Sequence, residues 1–119
     1  MPKKVLIVED DQLIAHLMEV YLNSMGNQVV GSVSSGEEAI MIAGKENPDC
    51  ILMDIRIDGE KDGIETALEI NKQKNIPIIF VSGNSDEKTT ERASKTNILG
   101  FLVKPVNKEN LYQLLSKLN

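Results

Sequence analysis

The spacing of apolar residues restricts this chain to very few folds. Five apolar runs of strand length occur at Lys4–Val8, Gln28–Val33, Cys50–Met53, Pro77–Val81 and Gly100–Val103. Between and after them lie stretches in which apolar residues recur every three or four positions, the period of an amphipathic helix. Runs such as Ile51-Leu52-Met53 and Ile78-Ile79-Phe80-Val81 are apolar without alternation. A strand with one face in water would alternate, so these belong in a sheet covered on both faces.

The helical stretches carry their own start and stop signals. The first holds Leu13, Ile14, Leu17, Met18, Tyr21, Leu22 and Met25, and Gly26 follows where a left-handed C′ residue belongs. Ser35-Gly36-Glu37-Glu38 reads as a capping box ahead of Ala39, Ile40 and Ala43, and Asn47-Pro48 stops that helix. A third helix runs from Gly63 to near Lys74, with Ile64, Ala67, Leu68 and Asn71 on one side. A fourth, largely polar, covers 86–96, and a fifth after Asn107 carries Leu111, Leu114, Leu115 and Leu118. The order is (βα)5. Right-handed crossovers leave few ways to wind it. The expectation is an α/β doubly wound parallel sheet of strand order 2-1-3-4-5, flavodoxin-like.

A length of 119 residues with 41% hydrophobic residues suits a single domain spanning 1–119, with an expected folded surface of about 6,400 Å². One cysteine excludes a disulfide framework or a cysteine-rich zinc site. No apolar run approaches the roughly 18 residues that span a bilayer, and the N-terminus meets acid too soon for a signal peptide, so the expectation is a soluble cytoplasmic domain with no membrane contact. The 18 acidic residues outnumber the 13 Lys and Arg, giving a net charge of −5 and arguing against direct nucleic-acid binding. With no Trp, two Tyr and two Phe, stacking platforms for bases or flavins are scarce.

In doubly wound sheets ligands bind beyond the carboxyl ends of the strands. Strand 1 ends in Glu9-Asp10-Asp11, strand 3 in Asp54, strand 4 in Ser82-Gly83 and strand 5 in Lys104-Pro105. These strands are neighbours in the expected order, so their ends converge on one crevice. Glu9, Asp10 and Asp54 cannot all stay ionised there without compensation, and Lys104 balances only one of them. A hard divalent cation would balance the rest, and all-oxygen ligands suit Mg²⁺. A carboxylate nucleophile, a metal, a hydroxyl and a lysine together are the parts of a phosphoryl-transfer site. Other residues have plainer readings. Asp11 is assigned to capping the first helix. His16 lies nearly opposite the apolar stripe and faces solvent, Cys50 is a small core residue, and Met18, Met25 and Met53 fill the core.

The segments Ile7-Val8-Glu9-Asp10-Asp11, Ile51-Leu52-Met53-Asp54, Asp62-Gly63, Ile79-Phe80-Val81-Ser82-Gly83 and Phe101-Leu102-Val103-Lys104-Pro105 resemble the receiver domain of two-component response regulators, over the whole chain. The resemblance implies that Asp54 is the phosphoacceptor. It implies that Asp10, Asp54 and the backbone carbonyl of Arg56 ligate Mg²⁺ (or Mn²⁺), with Glu9 acting mainly through metal-bound water. Ser82 and the N–H of Gly83 would hold the phosphoryl oxygens, Lys104 would contact carboxylate and phosphoryl group, and Phe101 would turn inward when Ser82 moves. The implied donor is the phosphohistidine of a sensor histidine kinase or histidine phosphotransfer domain. The implied output face is built from helix 4, strand 5 and helix 5, with a phosphorylation-dependent dimer as one use of it. The domain would catalyse its own phosphorylation and dephosphorylation and turn over no separate substrate. Arg56 and Asn84, two residues beyond the acceptor and the hydroxyl, are expected to tune the lifetime of the phosphoaspartate. One departure stands out: Asp58 occupies the place of the family's usual Pro, and Asp62-Gly63 comes one residue late, so the loop Ile55–Lys61 is longer by one.

Three other functions fit the fold less well. A flavin-binding electron carrier needs a Ser/Thr/Gly-rich phosphate loop after strand 1, where this chain has three acids. A Mg²⁺-dependent phosphatase resembles Asp-x-Asp there, a spacing that Glu9-Asp10-Asp11 lacks. A receiver-like interaction module without phosphorylation would not need the full set of acids, Ser82 and Lys104. No output segment follows Leu118-Asn119, so the expectation is either a stand-alone receiver or a piece of a longer regulator.

Overall fold

A computed structural model describes residues 2–83 and 86–118. Five strands, β1 (Lys4–Val8), β2 (Gln28–Val33), β3 (Cys50–Asp54), β4 (Ile78–Ser82) and β5 (Ile98–Val103), alternate with α1 (Gln12–Ser24), α2 (Gly36–Glu46), α3 (Gly63–Gln73), α4 (Glu87–Ala93) and α5 (Lys108–Leu115). All four strand pairings are parallel, in the order β2-β1-β3-β4-β5. The expected doubly wound topology is the observed one.

β3 and β4 are buried at every position, as their unbroken apolar runs require. Their side chains alternate between two cores. Leu52, Ile79 and Val81 pack with Ala15, Met18 and Leu22 of α1 and Leu111 and Leu115 of α5. Ile51, Met53, Ile78 and Phe80 pack with Ala39 and Ala43 of α2, Ile64, Ala67 and Ile70 of α3, and Ala93 of α4. The folded surface is 6511 Å². No helix among the described residues is long and apolar enough to cross a membrane.

Several boundaries shift for physical reasons. β3 reaches Asp54 because that residue still pairs with Val81. β4 begins at Ile78 because Pro77 has no N–H to give the ladder, although its carbonyl accepts from Ile51. β5 starts two residues ahead of Gly100. Ile78 pairs with Ile98 and Ile79 with Gly100, so Leu99 is an extra residue in the edge strand. α4 is shorter than its sequence pattern, with Asp86 as N-cap and Ser94 as C-cap.

The stripe read on α1 is corrected in part. Met18, Tyr21, Leu22, Ile14 and Met25 do face the core, but Leu13 is 79% and Leu17 38% exposed, and Ala15 is buried instead. The apolar arc of this helix is wider than the strip the sheet can cover, and periodicity does not say which edge of it is buried. His16 is exposed, Cys50 is fully buried and Met18 and Met53 are in the core, as expected. Burial pushes the Cys50 thiol up to about 12, which makes it unreactive. The capping box read at Ser35 is also only half present. The Ser35 hydroxyl accepts from the Glu38 N–H, but the Glu38 carboxylate accepts from that hydroxyl and not from the Ser35 N–H. The complete box sits at Asp62 and Glu65, at the start of α3.

Candidate functional site

Glu9 follows β1 directly. Its N–H donates to Val33 at 2.9 Å, prolonging the ladder by one bond, and this carries its side chain inward, where the residue is 1% exposed. The next residue, Asp10, is exposed. Asp11 caps α1, its carboxylate accepting from the N–H groups of Leu13 and Ile14. Asp54 ends β3 and is 3% exposed. Its Oδ1 accepts from the Arg56 N–H at 3.2 Å and its Oδ2 from Lys104 Nζ at 3.1 Å. Lys104 is placed by its own N–H, which donates to the Ser82 carbonyl at 2.8 Å. The Lys104–Pro105 peptide is cis.

One cation therefore serves two buried carboxylates. Lys104 Nζ is also 3.3 Å from Glu9 Oε1, yet that oxygen is enclosed and makes no hydrogen bond. Glu9 Oε2 accepts from the Asp11 N–H. Burial first, and then the neighbouring Asp54 carboxylate, push the Glu9 carboxyl up to about 8. Burial by itself would lower the Lys104 ammonium, but Asp54 and Glu9 outweigh it and raise its pKa.

Oxygens of Glu9, Asp10 and Asp54 all lie within 4.8 Å of one another. Two oxygens each ~2.1 Å from one Mg²⁺ can be at most ~4.2 Å apart, so a slight closing, or a bridging water, fits the group to a small hard cation. The buried Glu9 Oε1, which makes no hydrogen bond and has only an ammonium that it shares with Asp54, is the observation that asks for one.

A cavity of about 430 Å³ opens beside Asp54. It is lined by Asp54, Ile55 and Arg56 at the end of β3, Ser82 and Gly83 at the end of β4, Lys104 after β5, and Asp86 and Thr89 at the start of α4. Asp54, Ser82, Gly83, Lys104 and Arg56 are thus brought together as the sequence leads one to expect, with Glu9 and Asp10 clustered on Asp54. Asn84 lies outside the described residues. Phe101 is half-buried, its ring centroid 5.9 Å from that of Phe80.

The loop after Asp54, residues 55–61, has a definite shape. Asp58 bridges to Ser35, its N–H donating to the Ser34 carbonyl at 3.1 Å, and Gly59 turns the chain with φ of 97°. The loop then closes on the Asp62 capping box, and the Gly63 N–H donates to the Ile55 carbonyl at 2.7 Å. A Cβ on Gly63 would stand 2.0 Å from the Asp54 carbonyl oxygen, so only glycine lets α3 start this close behind the acceptor. Three contributors escaped the sequence reading. Asp86 and Thr89 belong to the cavity, and Arg92 of α4 pairs with Asp62 at 2.9 Å. The Asp-x-x-Thr spacing before α4 marks Asp86 as a cap, but nothing local reveals that the cap borders a site.

A five-stranded doubly wound sheet with carboxylates clustered at the ends of the adjacent strands β1 and β3, and a lysine reaching them from the end of β5, defines a receiver-type fold and site. Residues 5–116 match the family described as response regulator receiver domain. The chain belongs to that family. It is 34% identical over 110 residues to the transcriptional regulatory protein PdtaR of Mycobacterium tuberculosis, covering 92% of this chain and 53% of that protein. It is 31% identical over 116 residues to the probable C4-dicarboxylate response regulator DctR of Bacillus subtilis, covering 96% and 51%. The chain spans about half the length of these curated relatives. Among solved structures, the signal receiver domain of a modulated diguanylate cyclase from Desulfovibrio desulfuricans superposes with a TM-score of 0.92 at 38% identity, covering 99% of this chain and 94% of that one. The CheX-CheY-BeF3-Mg complex of Borrelia burgdorferi gives 0.90 at 25% identity, with 98% and 89% covered. Receiver domains are phosphorylation-dependent signalling domains rather than enzymes that turn over a separate substrate, and the Glu9, Asp10 and Asp54 cluster fits a phosphoaspartate site.

Proposed function

We propose that Asp54 accepts a phosphoryl group from a phosphohistidine, donated by a sensor histidine kinase or a histidine phosphotransfer domain, in a Mg²⁺-dependent reaction. The observation that carries this reading is the buried Asp54 carboxylate, which lines the cavity with Lys104, is held by that lysine and clusters with the buried carboxylate of Glu9. An Asp54 oxygen attacks phosphorus, the P–N bond breaks with its electron pair left on the imidazole, and an acyl phosphate forms. Asp10, Asp54 and the Arg56 carbonyl would hold Mg²⁺ (Mn²⁺ has the same donor preference), with Glu9 reaching it through water. When bound, the ion supplies positive charge against the crowded carboxylates and the phosphoryl oxygens. Lys104 and the Ser82 hydroxyl bind those oxygens, helped by the Gly83 N–H. Hydrolysis later returns the carboxylate and inorganic phosphate.

Drawing Ser82 and Lys104 toward the phosphoryl group pulls on the ends of β4 and β5, and Phe101 turns inward in response. The face of α4, β5 and α5 reports the change to a protein partner or a second copy of the chain, and its exposed Val103 and Tyr112 support that role. The net charge of −5 makes direct nucleic-acid contact unfavourable, and a kinase donor goes with a cytoplasmic setting. In this reading the domain turns over no separate substrate. Arg56, exposed at the cavity wall, folds over the phosphoryl oxygens and crowds the approach of water, while the neutral Asn84 offers that water no general base.

Incubation with acetyl phosphate and Mg²⁺ tests the assignment. The expected product is an acid- and base-labile phosphate on Asp54, absent from Asp54→Asn, and lost faster from Arg56→Ala after donor removal. Undiminished labelling of Asp54→Asn would overturn the acceptor. Equal or slower loss from Arg56→Ala would remove Arg56 from control of the lifetime.

A further inference from the structure

We infer that Asp86 is a specificity-determining residue of the acceptor cavity, whose carboxylate selects against small, doubly anionic phosphodonors arriving from solution. The inference rests on the reading of Asp54 as acceptor.

Asp86 and Thr89, at the start of α4, line the same cavity as Asp54 and Lys104. The carboxylate is fixed in place, because its Oδ1 accepts the Thr89 N–H at 2.7 Å. It is also kept ionised, since bonds from the Thr89 N–H and hydroxyl lower its pKa. Among the described residues Asp86 forms no ion pair within contact distance, and Lys88, two residues on, is the cation that acts on it. Of the two cations that line the cavity, Lys104 is already shared between Asp54 and Glu9, which leaves Arg56 as the one set against Asp86. Removing the Asp86 charge therefore lowers the repulsion felt by an anionic metabolite that enters this cavity from solvent.

The barrier falls unequally on different donors. A phosphohistidine carried on a protein can offset the repulsion with docking contacts made elsewhere on the surface. A metabolite of a few atoms has no such remote contacts. Asp86 therefore favours a dedicated protein donor over stray phosphorylated metabolites, without touching the reacting atoms.

The test compares labelling rates of the full chain with Mg²⁺ and two donors, acetyl phosphate (a dianion at neutral pH) and phosphoramidate (of lower net charge). Asp86→Asn keeps a good N-cap and removes the charge, and Asp86→Ser repeats this with a different cap. Both variants should label with acetyl phosphate roughly three- to tenfold faster than wild type at low ionic strength, with the gap closing as salt rises. With phosphoramidate the gain should be smaller. Unchanged rates, or the same salt-independent gain with both donors, would overturn the gate. Labelling that persists in Asp54→Asn would instead overturn the acceptor assignment, so the two failures are distinguishable.

Discussion

Glu9 is buried without a full set of partners, and that makes it the pH-sensitive residue of the site. Its folded-state pKa stands at about 8 against an ordinary 4.5, so the folded chain holds a proton there that the unfolded chain gives up. In the absence of divalent metal, this contribution to stability is complete below 4.5 and is lost as pH rises through about 8. Thermal unfolding across that window should therefore show a falling midpoint, and added Mg²⁺ should flatten the fall by compensating the ionised carboxylate. A midpoint that rises with pH in metal-free buffer would contradict the assignment. The identities of Glu9, Asp54 and Lys104 as a cluster were legible in the sequence, because each ends a strand whose neighbours were known once the sheet order was known. The missing hydrogen bond at Glu9 Oε1 was not legible, since it depends on angles between side chains that no spacing records.

At the scale of elements, α3 and α4 sit differently around the acceptor. α3 begins with a complete capping box and presses Gly63 onto the Asp54 carbonyl. Gly63→Ala should cost about 1–3 kcal/mol of stability, because the new methyl meets backbone that cannot yield like a side chain. It should also slow labelling of Asp54 by displacing the strand end. Denaturant unfolding and the labelling rate check both, and a variant of wild-type stability and rate would show that the contact is slack. α4 by contrast buries only Ala93 and is tied by Arg92 to the Asp62 cap. A short polar helix with one buried side chain gives weak periodicity, which is why its extent was overread at both ends. Asn71 shows the same limit on α3. It lies beside apolar positions because its amide donates to the carbonyls of Lys74 and Ile76 and accepts the Asn97 N–H, joining two loops. The helical spacing from Ile64 and Ala67 places it on the apolar side without revealing those partners.

For the molecule as a whole, the continuous apolar runs of β3 and β4 carried most of the topological information. They demand cover on both faces, and right-handed crossovers then leave the doubly wound order that is observed. What remained hidden was which edge of the α1 arc is buried, leaving Leu13 and Leu17 outside the core, and the turn that the loop after Asp54 makes at Gly59. The central claim is that phosphoryl chemistry at Asp54 is coupled to the face of α4, β5 and α5. Amide chemical shifts of the isotope-labelled chain, recorded with Mg²⁺ before and after addition of a phosphodonor, test it most directly. The account predicts changes at the ends of β3 and β4, and also at Phe101 and along α4, reverting as the phosphate is lost. Changes confined to the Asp54 loop, with Phe101 and α4 unmoved while Asp54 is labelled, would contradict it.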